Sequence, residues 1–254
     1  MNIHVAQNAI ELGKAAGTKA AQIIREAIAS NGIASIIIAT GTSQYETLKQ
    51  LISEKNIEWD KVIMFHLDEY IGLPVTHPAS FRKYIQERIL SKLPAPKAVH
   101  LINGETDAKA ECKRLGALIT RHPVDVALVG IGENGHLAFN DPPADFNTEE
   151  PYIVVKLDEA CKKQQMDEGW FKSIEEVPGF AISMSIKQIL KSKNIICSVP
   201  DSRKAIAVKN MLEQPVNNLY PSTVLQLHPG CYCFLDKASA QHISSHAHLN
   251  ENDR

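Results

Sequence analysis

The sequence lacks the features that mark several large classes of protein. Its 254 residues contain 27 Lys and Arg against 29 Asp and Glu, so there is no basic excess to attract nucleic acid. No apolar run approaches the length that spans a bilayer. The N-terminus has no hydrophobic signal core, and its apolar residues are spaced as on a helix. We therefore expect a cytoplasmic protein that binds neither nucleic acid nor membrane.

Cysteine is also scarce, and its spacing is uninformative for metal or disulfide chemistry. The count is odd and no pair has CxxC spacing, which argues against structural zinc and against a disulfide framework. Cys197 and Cys231 lie in apolar, strand-like runs and are expected in the core, with Cys233 on the same strand face as Cys231. The five cysteines are Cys112, Cys161, Cys197, Cys231 and Cys233.

Common catalytic signatures are missing too. There is no GxSxG elbow, no HExxH, no P-loop lysine motif and no GxGxxG leading into a helix, so nucleotide binding is not expected. The segment 124–143, VDVALVGIGENGHLAFNDPP, stands out instead. It reads as a buried strand, then a turn built on Gly130, Gly132 and Gly135, and then the titratable His136.

Strand and helix patterns alternate along nearly the whole chain. This alternation predicts a single-domain α/β fold with a Rossmann-like, open, mostly parallel sheet and helices on both faces. The domain is expected to cover residues 1–237, followed by a polar C-terminal tail at 238–254. That tail holds His242, His246 and His248, whose spacing suits a metal, although a frayed polar terminus is the simpler interpretation. The predicted strands are 33–39, 62–67, 124–129, 152–157, 180–184, 194–199 and 231–235, and the predicted helices are 10–28, 45–52, 80–90, 108–119, 158–170, 186–190 and 204–212, with 224–227 either helical or extended.

Three polar or glycine-containing segments follow three of the predicted strands. They are residues 40–43, the pair Asp68 and Glu69, and residues 132–141. Since the carboxyl ends of parallel strands meet at one sheet edge, we expect the three segments to converge there. Taken singly, the first could be a helix cap and the second a solvated acidic pair. Together they suit proton transfer on a phosphorylated small molecule, with an anion cradle, a carboxylate and a histidine beside Asp141.

Four sequence segments carry a resemblance to a known family. LDEYIGLP (67–74), HPASFRKY (77–84), GIGENGHLAFNDP (130–142) and TVLQLHP (223–229) resemble the glucosamine-6-phosphate deaminase family, also called glucosamine-6-phosphate isomerase. Its wider α/β group includes 6-phosphogluconolactonases. The resemblance implies conversion of an amino-sugar 6-phosphate to fructose 6-phosphate and ammonia, without a metal or organic cofactor. It also makes a homo-oligomer possible, since such assemblies occur in this family.

The same resemblance implies roles for individual residues. Asp68 matches the carboxylate that moves a proton between C2 and C1 of the opened sugar, and His136 matches the histidine that helps open the ring. Asn134 matches a position held by Asp or Asn, and Asp141 a position usually held by Glu that keeps the histidine polarised. Lys204 matches a lysine that neutralises the phosphate. The expected substrate- and phosphate-binding residues are Thr40, Gly41, Thr42, Ser43, Glu69, Gly132, Gly135 and Lys204.

Two departures from the family pattern bear on specificity. Asp141 is one methylene shorter than Glu, so it either reaches His136 less well or does so through water. No arginine stands in the segment 164–171, where the family commonly has one, and Lys162 or Lys163 is the available substitute. Galactosamine-6-phosphate deaminase/isomerase is therefore the first alternative. A 6-phosphogluconolactonase-like hydrolase and a non-catalytic sugar-phosphate sensor follow it.

Overall fold

The computed structural model describes residues 1–167 and 169–244. Within these residues the strands are β1 (Asn2–Ala6), β2 (Ala34–Ile38), β3 (Val62–His66), β4 (Asp68–Tyr70), β5 (Ala98–His100), β6 (Val126–Val129), β7 (Tyr152–Lys156), β8 (Phe180–Met184), β9 (Asn194–Val199) and β10 (Cys231–Asp236). The α-helices are α1 (Ala9–Asn31), α2 (Tyr45–Ser53), α3 (Phe81–Arg88), α4 (Ala108–Ile119), α5 (Glu159–Asp167), α6 (Ile186–Leu190) and α7 (Ala205–Glu213).

A seven-stranded parallel sheet forms the centre of the molecule, in the order β1-β10-β9-β6-β2-β3-β5. Successive side chains of a strand point to opposite faces, and β2 shows how both faces are covered. Ile36 and Ile38 pack in one apolar cluster with α1 and α2, whereas Ile37 packs in another with α4, α6 and α7. Helices therefore lie on both faces, and the predicted α/β class is confirmed.

A second, smaller sheet was not expected as a separate unit. It contains β4, β8 and β7, all antiparallel, so the predicted strands at 152–157 and 180–184 do not extend the central sheet. The chain changes sheets at Leu67. Its N–H donates to the Ile38 carbonyl at 3.1 Å, and its carbonyl accepts from the Met184 N–H at 2.9 Å. This switch places the residues that follow β3 over the carboxyl edge of the central sheet.

The strand at the N-terminus was not predicted, because the apolar residues there were read as spaced on a helix. Residues Asn2–Ala6 form β1, which pairs with β10 at the edge of the sheet. The Asn8 side chain then accepts from the Glu11 N–H and fixes the start of α1, so the helical pattern cannot extend toward the N-terminus. At the other end of α1, Gly32 adopts φ 76°, as expected for a left-handed C-cap.

Two further differences concern a short strand and a helix end. The strand β5 is half-buried and three residues long, so it leaves no continuous apolar signal. The helix predicted to reach Trp170 ends at Asp167, and Gly169 at φ 83° follows it. A left-handed glycine is a common stop for a helix. The chain from Gly169 onward therefore leaves the helix.

The start of the predicted tail packs on the body of the protein. Ser239 is buried and its N–H donates to Asp236 at 2.8 Å, while Ala240 and Ile243 contact the apolar core. The frayed terminus therefore does not begin at residue 238. His246 and His248 lie outside the described residues. No helix in the described part of the chain is both long and apolar enough to cross a membrane.

Candidate active site

A cavity lies at the carboxyl ends of β2, β3 and β6, where the three sequence segments were expected to meet. Eight of the predicted site residues line it. They are Thr40, Gly41, Thr42, Ser43, Asp68, Gly132, His136 and Lys204. Glu69, Asn134, Gly135 and Asp141 are not in its lining, and the first of these points elsewhere altogether.

Residues 40–43 form the part of the cavity suited to an anion. They connect β2 to a short 3₁₀ helix and then to α2, so backbone N–H groups at a helix start face the cavity. The Thr40 hydroxyl is buried and has no hydrogen-bond partner among the described residues. A Cβ on Gly130 would lie 2.5 Å from the Ser43 Oγ, so the glycine leaves room for the Ser43 hydroxyl beside the loop after β6. The cradle thus offers the Thr40 hydroxyl and the backbone N–H groups of a helix start to an anion.

Gln44 holds the cradle in place, and Lys204 gives it positive charge. Gln44 is buried and its Nε2 donates to the Val129 carbonyl at 3.0 Å, which ties the loop after β2 to the end of β6. Lys204 comes from the 3₁₀ helix that precedes α7 and is only 5% exposed. Its side chain lines the cavity and brings positive charge to it from a buried position, which favours an anionic ligand.

Asp68 projects into the same cavity from the point where the chain changes sheets. It is 8% exposed, and burial together with the neighbouring Glu69 carboxylate raises its pKa to about 8. A carboxyl group in this range is neutral or ionised at physiological pH depending on small changes around it. That is the property required of a group that both accepts and returns a proton.

Glu69 does not contact the cavity, contrary to its predicted substrate-binding role. Adjacent strand residues point in opposite directions, and Glu69 points at the start of α3. Its carboxylate accepts from the Phe81 and Arg82 N–H groups at 3.2 and 2.8 Å and from the Ser80 hydroxyl at 3.0 Å. Burial nevertheless raises its pKa, against those hydrogen bonds. Glu69 therefore fixes α3 by occupying the anion position at a helix N-terminus.

His136 is held by two neighbours that sequence reasoning selected. Its Nδ1 lies 2.8 Å from the Asp141 Oδ1, and its backbone N–H donates to the Asn134 Oδ1 at 3.0 Å. The Asn134 amide also donates to the Asp141 Oδ1 at 3.0 Å. The shorter aspartate thus contacts the histidine directly, without water between them. Asn134 and Asp141 are positioned to orient the ring rather than to touch a ligand in the cavity.

Electrostatics and packing both fix this histidine. Burial would raise the pKa of Asp141, but hydrogen bonds and charge from His136, with help from Asn134, hold it below its usual value. The carboxylate therefore stays ionised beside the ring. A Cβ on Gly132 would lie 2.3 to 2.5 Å from three atoms of the ring, which requires glycine there. Gly135 adopts φ 84° and allows the tight turn just before the histidine.

Sequence reasoning missed a wall of the cavity that comes from α5 and the turn after it. Gln164, Gln165 and Trp170 line the cavity together with Phe81 and Phe139. The Gln164 Oε1 accepts from the Glu133 N–H at 3.1 Å, and the Gln165 Oε1 accepts from the Tyr70 hydroxyl at 2.6 Å. The sequence signal for this wall is the adjacent pair Gln164 and Gln165, in the segment 164–171 that lacks the arginine common in the family.

Neither lysine of α5 replaces that arginine inside the cavity. Lys162 pairs with Glu159 at 3.0 Å and Lys163 pairs with Asp167 at 2.5 Å, both as neighbours on the helix surface. The wall formed by α5 is consequently neutral where it meets the cavity. The polar groups that it offers there are amides and an indole.

Comparison with known proteins connects this cavity to a family. Residues 7–232 match the family of glucosamine-6-phosphate isomerases and 6-phosphogluconolactonases. Glucosamine-6-phosphate deaminase of Listeria monocytogenes serotype 4a is 36% identical over 229 residues, which are 89% of this chain and 95% of that protein. Glucosamine-6-phosphate deaminase of Oenococcus oeni is 35% identical over 245 residues, which are 96% of this chain and 99% of that protein.

Two solved structures resemble this chain, one at higher and one at lower sequence identity. A monomeric glucosamine-6-phosphate deaminase superimposes with a TM-score of 0.87 at 32% identity, covering 95% of this chain and 99% of its own. The 6-phosphogluconolactonase of Trypanosoma brucei superimposes with a TM-score of 0.76 at 18% identity, covering 96% of this chain and 98% of its own. At that identity the second likeness shows the fold alone.

Proposed function

The chain belongs to the family of glucosamine-6-phosphate isomerases and 6-phosphogluconolactonases, and from this premise we propose that it is an amino-sugar-6-phosphate deaminase. The proposed reaction converts glucosamine 6-phosphate and water to fructose 6-phosphate and ammonia. The observation that carries the proposal is the meeting of Asp68, His136 and the cradle at 40–43 in one cavity. The relatives named above, at 35 and 36% identity, carry the same activity in their names.

The phosphate of the substrate is proposed to occupy the cradle. There the Thr40 hydroxyl and the N–H groups at the helix start would donate to it, and Lys204 would balance its charge. Phosphate binding is remote from the carbons that react, so its binding energy can hold the sugar in a reactive position. The neutral wall on α5 would then face the sugar hydroxyls.

Asp68 is proposed to act as the proton shuttle of the isomerisation. In the opened aldose it would take the proton from C2 while the carbonyl oxygen on C1 gains the proton that the substrate ammonium loses, leaving an enolamine, and it would then return its proton to C1. The nitrogen then sits on C2 as an imine, and water replaces it to give the ketone and ammonia. The substrate ammonium would favour ionised Asp68, lowering a pKa that burial raises to about 8 in the empty site.

His136 is proposed to open the pyranose ring before that step. Ring opening moves a proton from the C1 hydroxyl to the ring oxygen, and an imidazole can carry it at neutral pH. The contact to Asp141 at 2.8 Å fixes the orientation of the ring. Asn134 supports both residues and touches neither the sugar nor its phosphate in this proposal.

The experiment is a comparison of three substrates with the purified protein. We expect ammonia release from glucosamine 6-phosphate, in equal amount to the fructose 6-phosphate that forms. Galactosamine 6-phosphate is the matched control because it differs only at C4, and faster ammonia release from it would reassign the substrate. Hydrolysis of 6-phosphogluconolactone, with no ammonia from either amino sugar, would overturn the proposal.

A cytoplasmic location and self-association are separate points. We propose the cytoplasm because the five cysteines are all free thiols, a state that a reducing compartment maintains. Association into a homo-oligomer stays a prediction. Sedimentation velocity at micromolar protein decides it, and a single species at the 28.1 kDa mass of the chain would reject it.

A further inference from the structure

A thiol lies beside the proposed catalytic histidine, although the reaction proposed above does not use it. Cys161 is on α5 and is 1% exposed. One sulfur, one imidazole nitrogen and one carboxylate oxygen, from Cys161, His136 and Asp141, lie within 4.8 Å of one another. Sulfur, imidazole and carboxylate are the three ligand types that zinc takes in proteins.

The carboxylate supplies an independent reason to expect a ligand here. The Asp141 side chain is 9% exposed, and its Oδ1 already contacts His136 and Asn134. Its Oδ2 is buried and accepts no N–H or O–H hydrogen bond in the described part of the chain, and the remaining neighbour of the carboxylate is the Cys161 thiol, whose hydrogen bond helps to lower the Asp141 pKa. A cation in place of that thiol proton would satisfy the sulfur and the carboxylate together.

The helix that carries Cys161 also gives the cluster a route to the cavity. Gln164 and Gln165 follow it by three and four residues, so all three lie on one face of α5. The two amides line the cavity, as does His136, while Cys161 lies one helical turn earlier on α5 and outside the lining. A cation that enters the cavity therefore meets the histidine first and the thiol behind it.

We propose that His136, Asp141 and Cys161 form an inhibitory site for a thiophilic divalent cation such as Zn²⁺. Tetrahedral zinc with bonds of about 2.0 to 2.3 Å needs ligand atoms roughly 3.4 to 3.6 Å apart. The ligand atoms must therefore close by up to about 1.4 Å. Binding replaces the S–H bond with a metal–sulfur bond and releases the thiol proton to solvent. The fourth position of the metal remains open to water or substrate.

Occupation of this site removes the histidine from the reaction. A metal shared by the imidazole, Asp141 and Cys161 replaces the Asp141 contact that orients the ring for ring opening. Inhibition by this route rests on the proposed role of His136, whereas metal binding does not. The two are therefore measured separately, by a spectrum and by a rate.

The binding test uses Co²⁺, which reports on its ligands through its absorption. We expect a thiolate-to-cobalt charge-transfer band in the intact protein, and its loss in Cys161→Ser and in Cys161→Ala. Cys112→Ser is the matched control because Cys112 is a more accessible thiol on α4. A wild-type spectrum without the band, or a band that survives both Cys161 substitutions, would overturn the proposal.

The inhibition test measures ammonia release with Zn²⁺ and then with a chelator in excess. Each variant is compared with its own metal-free rate. We expect Cys161→Ser to raise the inhibitory Zn²⁺ concentration at least tenfold, Cys112→Ser to leave it unchanged, and Mg²⁺ to have no effect because it prefers oxygen ligands. Equal Zn²⁺ sensitivity of Cys161→Ser and wild type contradicts the inhibitory role. A cobalt band in a protein without deaminase activity would instead retain the site and reject the proposed function.

Discussion

Asp68→Asn is expected to make the protein more stable at neutral pH while it abolishes activity. Asp68 is 8% exposed and its pKa is raised from 3.8 to about 8, chiefly by burial. In the unfolded chain the same carboxyl group is ionised above pH 4. The folded protein therefore holds a proton that the unfolded chain has released. Wild-type stability falls as pH rises between these two values, whereas an asparagine has no such dependence.

The magnitude follows from the width of that interval. Each pH unit between the two pKa values costs the folded state about 1.36 kcal/mol. From pH 5.5 to pH 7.5, wild type should lose about 2 to 3 kcal/mol relative to Asp68→Asn. Deletion of a strained functional group commonly increases stability at the expense of activity.

Urea unfolding at the two pH values, followed by fluorescence, measures this difference. Glu111→Gln is the control. Arg114 holds the pKa of Glu111 below 4.5 against the effect of burial, so the stability it contributes is present throughout this interval and changes little with pH. A stability difference between Asp68→Asn and wild type that is the same at pH 5.5 and 7.5 would refute the reasoning about Asp68.

Three further substitutions test the packing and charge of the site. Gly132→Ala should lower kcat for ammonia release by at least about tenfold, because its Cβ displaces the His136 ring. Gly179→Ala is the control, since its Cβ meets nothing within 4 Å and should leave kcat unchanged. Equal kcat values in the two variants would contradict the packing of Gly132 against His136. Lys204→Met should raise the KM for glucosamine 6-phosphate about tenfold or more, whereas the control Lys209→Met, at an exposed lysine, should leave it unchanged. An unaltered KM in Lys204→Met would contradict the place of Lys204 in the phosphate site. Asp141→Glu should lower kcat, since the added methylene displaces the carboxylate from its 2.8 Å contact with the His136 Nδ1, and a wild-type kcat would contradict this.

The parts of the site that the sequence predicted are those encoded by short, local segments. A strand, a glycine turn and a histidine follow one another within residues 124–143, so their mutual placement depends little on the rest of the chain. The same holds for residues 40–43 at the end of β2. Strand alternation then sufficed to bring both segments to one sheet edge.

The parts that could not be predicted depend on contacts distant in sequence. Glu69 turns away from the cavity because β4 pairs with β8, more than a hundred residues later, and because α3 starts beneath it. Gln165 reaches the cavity through the Tyr70 hydroxyl, 95 residues away. Composition and periodicity carry no signal for either contact. Recognition of the family placed Asp68 in its role without revealing where its neighbour points.

The direct contact between His136 and Asp141 is a third such case. A shorter side chain at this position suggested a longer or water-mediated contact. The left-handed Ala138, at φ 52°, and the turn through Asn140 bring the aspartate close enough for a 2.8 Å bond. Asn140 itself is fixed by bonds from its amide to the carbonyls of Leu137 and Met184. Backbone geometry thus makes up for the missing methylene.

The most direct measurement is the rate of ammonia release from glucosamine 6-phosphate by wild type, Asp68→Asn and His136→Ala, with Lys209→Met as the surface control. We expect wild type and the control to release ammonia at the same rate. Loss of either proton-transferring group should reduce kcat by about a hundredfold or more. A rate in Asp68→Asn or His136→Ala within a few fold of wild type would contradict the assignment of this cavity as the catalytic site.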